Sequence, residues 1–314
     1  MKRTMLRPRH LVIALVLCSG QSGGAQELVR NSVSTSDHHV LTLWSKTPAS
    51  APRGEIVLLH GRTWSARPNF DLHVAGQRAS LMDALVAKGY AVYALDQRGY
   101  GSTSRDASGW LTPDRAAQDA DAVVQWVSVR APRHRTPALL GYSRGSATAM
   151  LVAQRHPETL SALIMYGPYH NVEQPPEIPA EPSTPTRART TAEGAAEDFI
   201  SPEMTPPGVK DAYVKSATTL DPIRADWRHE EQFNVLDPAK IHTPILVIHG
   251  EKDPYAAGAG MPSFFSKLAS VDRAWVVLAG TDHVAHLERQ DAFVQSVVAF
   301  LQAVSPAAAA GPHP

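Results

Sequence analysis

Ser143 stands in Gly141-Tyr142-Ser143-Arg144-Gly145, a G-x-S-x-G sequence. The apolar run Ala138-Leu139-Leu140 leads into it, and Ser146-Ala147-Thr148-Ala149-Met150-Leu151-Val152-Ala153 follows with helical character. A serine on so sharp a strand-to-helix turn takes a strained backbone conformation that lifts its hydroxyl clear of a sheet, which is how a serine nucleophile is presented. The flanking glycines are expected where a Cβ would collide with the neighbouring strand or helix. A serine hydroxyl is a poor nucleophile at neutral pH. It needs a base to take its proton and a third group to fix the tautomer of that base. His283, in Gly280-Thr281-Asp282-His283, is the candidate base, with His286 three residues on as the alternative. Asp253, in His249-Gly250-Glu251-Lys252-Asp253-Pro254, is the candidate acid, with Glu251 as the alternative.

These residues need strand ends to hold them. The chain alternates strand and helix, the pattern of an open, largely parallel sheet covered on both faces. Strands are expected at about 28–35 and 39–45, at Glu55–His60 before Gly61, at Tyr90–Leu95, before the elbow, at Leu160–Tyr166, at Ile245–Ile248 and at Trp275–Leu278. Helices are expected from Ala79 to Lys88, with Leu81, Leu85 and Val86 inward, and from Pro113, with Val123, Trp126 and Val127 on one side. Another follows the elbow, and Phe293, Val294, Val297, Val298 and Leu301 mark the last. The rhythm breaks between about 168 and 238, where Pro168, Pro175, Pro176, Pro179, Pro182 and Pro185 crowd together and block regular structure. Short helical stretches return near Ala192–Phe199 and Val209–Thr218. A loop this long inside a compact domain reads as a lid or binding segment. The expected division is core at 26–167, a cap insertion at 168–238 with a partly mobile first half, core again at 239–303, and an unstructured tail at 304–314.

At this point the chain resembles the α/β-hydrolase family, in its capped, esterase/lipase-like branch, over about residues 28–303. Four sequences carry the resemblance: His60-Gly61 after the third strand, Asp96-Gln97-Arg98-Gly99-Tyr100-Gly101-Ser102 after the fourth, the elbow, and His283-Val284-Ala285-His286-Leu287-Glu288. The order Ser143, Asp253, His283 is the order of that family's nucleophile, acid and base. The resemblance implies an α/β-hydrolase fold, His283 as base rather than His286, and Asp253 as acid rather than Glu251. It also places oxyanion donors on the backbone N–H groups of Arg62 and Arg144, with Thr63 possible for the first if the loop is shifted. Losing one such donor typically costs roughly 10²–10³ in turnover. Trp64 and Tyr142 are candidate pocket residues. His60 reads as a structural histidine, Asp96 and Arg98 as turn-pinning residues, and His38, His39 and His134 as surface residues. No phosphate-cradling loop or zinc spacing is present, so no metal and no cofactor are expected.

Lys2, Arg3, Arg7 and Arg9 precede the apolar run Leu11–Leu17, and small residues follow to Ala25. The run is too short to span a bilayer as a helix. Residues 1–25 read as a secretory signal cleaved after Ala25. Cys18 suggests lipidation as an alternative, but Leu17 is bulky where a small residue is wanted. Cys18 is also the sole cysteine, so the mature chain would have no disulfide and no thiol nucleophile. That suits a bacterial periplasm or the medium. Removing the leader moves the formal charge from zero to −4, which argues against nucleic acid as a partner. At 314 residues and 43% hydrophobic, the chain can bury one large core.

The sequence therefore points to an exported serine hydrolase of a small-molecule carboxylic ester, with no stable membrane insertion of the mature chain. An amidase or aminopeptidase of the proline iminopeptidase-like type is the first alternative. It would need acidic residues in the cap to hold a free amino terminus, and Glu173, Glu177, Glu181 and Glu193 are available. A non-catalytic ligand-binding protein on the same scaffold is the second.

Overall fold

The structure, a computed structural model, describes residues 27–168, 181–201, 203–256 and 260–305. The expected leader, the proline-rich stretch at 169–180 with Glu173 and Glu177, and the tail from Pro306 lie outside those residues. In chain order the elements are β1 (Val29–Ser34), β2 (Val40–Lys46), β3 (Glu55–Leu59), α1 (Ala66–Phe70), α2 (Leu81–Ala87), β4 (Ala91–Asp96), β5 (Trp110–Leu111), α3 (Pro113–Arg130), β6 (Ala138–Tyr142), α4 (Arg144–Arg155) and β7 (Ala162–Tyr166). There follow α5 (Ala192–Ala196), α6 (Val209–Leu220), β8 (Asp226–Trp227), β9 (Ile245–Gly250), α7 (Gly260–Lys267), β10 (Arg273–Leu278), α8 (Ala285–Glu288) and α9 (Gln290–Val304).

Eight strands form one sheet in the order β1-β2-β4-β3-β6-β7-β9-β10. β2 pairs antiparallel with β1 and β4, and every other pairing in that sheet is parallel. The central strands explain the layering. β3 reads Glu-Ile-Val-Leu-Leu and is buried along its whole length. Ile56 and Leu58 join Phe70, Leu85 and Phe293 on one face, while Val57 and Leu59 join Val123 and Met150 on the other. Successive side chains point to opposite faces, so an unbroken apolar run requires cover on both sides. α3 and α4 cover one face, α2 and α9 the other.

Local chemistry sets the helix starts. Thr112 caps α3 by accepting from the Arg115 N–H, and Pro113 occupies the first turn, where its missing N–H costs nothing. Ser80 caps α2 in the same way through the Asp83 N–H. α9 runs to Val304, one residue past the expected end of the core, because the apolar stripe that begins at Phe293 still packs there.

The insertion between β7 and β9 carries α5, α6 and β8. A third apolar cluster joins it to the core: Ala195, Phe199, Val209 and Tyr213 pack with Trp64, and with Val284 and Leu287 beside His283. The two-residue strand β8 pairs with β5, and the Trp227 indole N–H donates to the Tyr100 hydroxyl at 2.8 Å. Among the described residues no helix is long and apolar enough to cross a membrane.

Candidate active site

Ser143 sits between β6 and α4 with φ 54° and ψ −123°, a conformation that residues with a side chain rarely adopt. Such a geometry costs on the order of 1–3 kcal/mol and persists only where neighbours fix it. Here the Ser143 N–H donates to the Tyr166 carbonyl at 2.8 Å, and the Ser143 carbonyl accepts from the N–H and hydroxyl of Ser146 at 2.9 and 2.6 Å. The glycines either side allow the turn to close. A Cβ on Gly141 would stand 2.2 Å from the Gly145 carbonyl oxygen, and one on Gly145 would stand 2.5 Å from the carbonyl oxygens of Leu59 and His60.

His283 and Asp253 come from the loops after β10 and β9. The Asp253 Oδ2 accepts from His283 Nδ1 at 2.8 Å, and both side chains are buried. With Nδ1–H donating to the carboxylate, His283 keeps Nε2 for another partner. Four hydrogen bonds hold its loop. The Asp282 carboxylate accepts from the N–H groups of Val284 at 3.0 Å and Ser201 at 2.5 Å, and the Asp282 N–H donates to Glu288 at 2.8 Å. The Tyr166 hydroxyl donates to the His283 carbonyl at 2.8 Å. Burial pulls the His283 pKa down, but the hydrogen bond and charge of Asp253 outweigh it, and the net shift is upward from 6.5.

The alternatives lie elsewhere. His286 is buried with Nε2 2.7 Å from the Asn69 carbonyl and Nδ1 2.8 Å from the Tyr166 hydroxyl. Burial holds its pKa down at about 4, so it stays neutral. Glu251 is exposed and accepts from the Gly280 N–H at 2.8 Å. His60 is buried, held at about 4 by desolvation, and spans Gly61 and Gln97. Asp96 accepts from Trp44, Ala66 and Ser102, and Arg98 is held by Asp37 and Asp119.

Ser143 and His283 line one pocket of about 260 Å³ together with Arg62, Thr63, Arg144, Trp64 and Tyr142. Arg144 opens α4, so its N–H points out of the helix start beside Ser143. The Tyr142 ring lies 4.9 Å from the His283 ring and 4.7 Å from that of Tyr166, and its buried hydroxyl has no partner among the described residues. A larger cavity of about 1180 Å³ lies away from this chemistry, beside Leu72, Arg78, Val86 and Val294.

Sequence reasoning missed the contributions of the insertion. Gly194, Glu197, Asp198 and Arg224 line the pocket, and Glu230 pairs with both Arg62 and Arg144. Burial pushes the Asp198 carboxyl pKa up, against the pull of nearby His283. No motif or periodicity marks these residues in the sequence. Of the acidic residues expected to be available in the cap, Glu181 is engaged by Arg228 and His229, and Glu193 is exposed. Among the described residues two clusters have metal-ligand types close together. In the first, Lys46 already bridges Asp71 and Asp83 at 2.6 and 2.7 Å. The second, Glu181, His229 and Glu231, is largely exposed.

The family model described as "Serine aminopeptidase, S33" matches residues 50–290. A monoacylglycerol lipase of Mycolicibacterium smegmatis is 26% identical over 283 residues, covering 81% of this chain and 89% of that one. The fold is also that of solved structures. A thioesterase domain from the curacin biosynthetic pathway aligns with a TM-score of 0.63 at 16% identity, over 87% of this chain and 99% of its own. An esterase of Pyrococcus furiosus aligns at 0.59 and 16%, over 90% and 92%.

Proposed function

The chain belongs to the α/β-hydrolase family described as serine aminopeptidase, S33, and on that premise we propose that it cleaves a carboxylic ester through an acyl-enzyme on Ser143. The observation that carries this reading is the buried His283–Asp253 pair at 2.8 Å, whose histidine shares a pocket with a serine on a strained elbow. In the proposed cycle the Ser143 oxygen bonds to the carbonyl carbon as His283 Nε2 takes its proton. The backbone N–H groups of Arg62 and Arg144 meet the charge on the carbonyl oxygen. Collapse breaks the ester bond, and the leaving alcohol takes the proton from Nε2. Water, deprotonated by the same nitrogen, then releases the acid and restores Ser143. Asp253 keeps the imidazole in the required tautomer and stabilises its charged form.

The pocket favours a short, polar substrate. It is small for a long acyl chain, and among the described residues no aliphatic side chain lines it. The Mycolicibacterium relative's name supports a small polar alcohol as leaving group. Glu197 and Asp198 in the pocket support a second reading, cleavage next to a free amino group. Side-by-side rates on a short ester and the matching aminoacyl anilide separate the two. Ser143→Ala should abolish ester turnover and labelling by a fluorophosphonate probe while leaving thermal unfolding nearly unchanged. Full turnover in that variant would remove Ser143 from the mechanism. Residues 1–25 are read as an export signal; an exported protein beginning at Gln26 is the expected N-terminal sequence, and an intact Met1 in the exported fraction is the contrary result.

A further inference from the structure

We propose that Arg224 binds a carboxylate on the substrate, so that the ester taken by this pocket carries a negative charge away from the bond that is cut. The inference rests on reading the pocket as an ester-cleaving site and names the class of ester.

Arg224 follows α6 and lines the same pocket as Ser143 and His283. Its Cζ lies 5.7 Å from the centre of the Trp64 ring. Its Nη2 fills the space beside Gly194, where a Cβ would stand only 2.2 Å away. The guanidinium is thus held between an indole and the bare backbone of α5, which restricts a side chain that is otherwise costly to order. Among the described residues no carboxylate pairs with it, and its Nε is buried with no acceptor. Arginines nearby differ: Arg105 pairs with Asp226, Arg228 with Glu181, and Arg62 with Glu230. Glu197 and Asp198 share the pocket without pairing to Arg224. Burial also favours the neutral form of Asp198, which lessens its opposition to an incoming anion.

A guanidinium is always charged and offers five donors in a planar fork that matches a carboxylate. Leaving such donors buried without an acceptor is costly, and a substrate carboxylate supplies the acceptors.

The test compares kcat/KM for mono(4-nitrophenyl) adipate with that for its neutral methyl ester. The intact chain should favour the charged ester. Arg224→Gln should lower the charged-to-neutral ratio roughly tenfold to a hundredfold, and Arg224→Lys should keep part of it. Gly194→Ala should mimic the loss by displacing the guanidinium. A ratio at or below one in the intact chain, or one unmoved by Arg224→Gln, overturns the proposal. So does a preference for an ammonium-bearing ester that disappears in Asp198→Asn. If neither ester is cleaved, the ester-cleaving reading fails, and binding decides Arg224 separately. Adipate, but not 1,6-hexanediol, should raise the Tm of the intact chain and not that of Arg224→Gln; no rise with adipate overturns the assignment.

Discussion

Glu230 reaches out of the insertion to ion-pair with Arg144, the residue that directly follows Ser143. Its other carboxylate oxygen lies 3.1 Å from Arg62. One carboxylate therefore ties together the two residues whose backbone N–H groups are the proposed oxyanion donors. They follow two adjacent, paired strands, β3 and β6, and the Glu230 carboxylate adds a side-chain tie between them. Donor placement acts on the transition state, so loosening it should lower kcat more than it changes KM. For Glu230→Gln we expect kcat to fall about tenfold, a fraction of the roughly 10²–10³ lost with a whole donor. Steady-state rates on a short ester measure this. A rise in KM at constant kcat would mean that Glu230 contacts substrate and does not position the donors.

The pH profile should report on Asp253. The proposed cycle needs neutral His283, and its pKa is raised above 6.5 chiefly because the hydrogen bond and charge of Asp253 oppose burial. Activity should therefore rise with pH through a midpoint above 6.5. In Asp253→Asn the main upward contribution is gone, only the smaller pulls of Asp198 and Asp282 remain against burial, and the midpoint should move to lower pH. The maximal rate should fall by up to about 10⁴ because the tautomer is no longer held. Profiles of kcat/KM for the two proteins check both signs. An unmoved midpoint would separate Asp253 from the titrating group.

The contrast between Ser143 and Arg224 explains what the sequence made legible. Ser143 is tied to local backbone geometry: a strand, two glycines and a helix within a few residues, each with its own composition. Asp253 and His283 follow apolar runs that end at the same edge of a parallel sheet, so topology alone carries them together. β5 and β8 lack such a signal, being two residues long and paired across more than a hundred positions. Arg224, Asp198 and Glu230 lie in an insertion whose elements are short, and contacts with the core, such as the packing of Phe199 and Tyr213 on Trp64 and the Trp227–Tyr100 bond, fix where they point. That packing is set by tertiary contact rather than by periodicity.

His286 should make the protein sensitive to acid. Its ordinary pKa of 6.5 is held at about 4 in the fold, chiefly by burial. Above pH 6.5 it is neutral whether folded or unfolded, and its contribution is complete. Between pH 6.5 and 4 the unfolded chain takes up a proton that the folded chain refuses, so that contribution is lost as pH falls. Over this window the stability of the wild-type chain relative to His286→Gln should drop by about 3 kcal/mol. His60 and Asp96 titrate over the same range, but they are common to both proteins and cancel in the difference. Denaturant unfolding at a series of pH values measures the gap; a gap that stays flat would mean that His286 is protonated in the fold.

Gly145 tests whether the elbow depends on backbone contact. A Cβ there meets two carbonyl oxygens at 2.5 Å, and both belong to the main chain at the end of β3. No side-chain rotation can relieve that clash, so the helix, the strand or both must move. Overpacking of this kind costs about 1–3 kcal/mol, and a collision with rigid backbone belongs at the upper end. At Gly54, by contrast, an added Cβ meets only the edge of the Tyr90 ring at 3.4 Å, an ordinary contact. Gly145→Ala should therefore lower the Tm by several degrees, while Gly54→Ala should stay within about 0.5 kcal/mol of the parent. The Gly145 variant should also lose activity per folded molecule, because the same shift moves Ser143 away from the loop that follows His60. Equal stability and activity in the two variants would show that the elbow has slack its geometry denies.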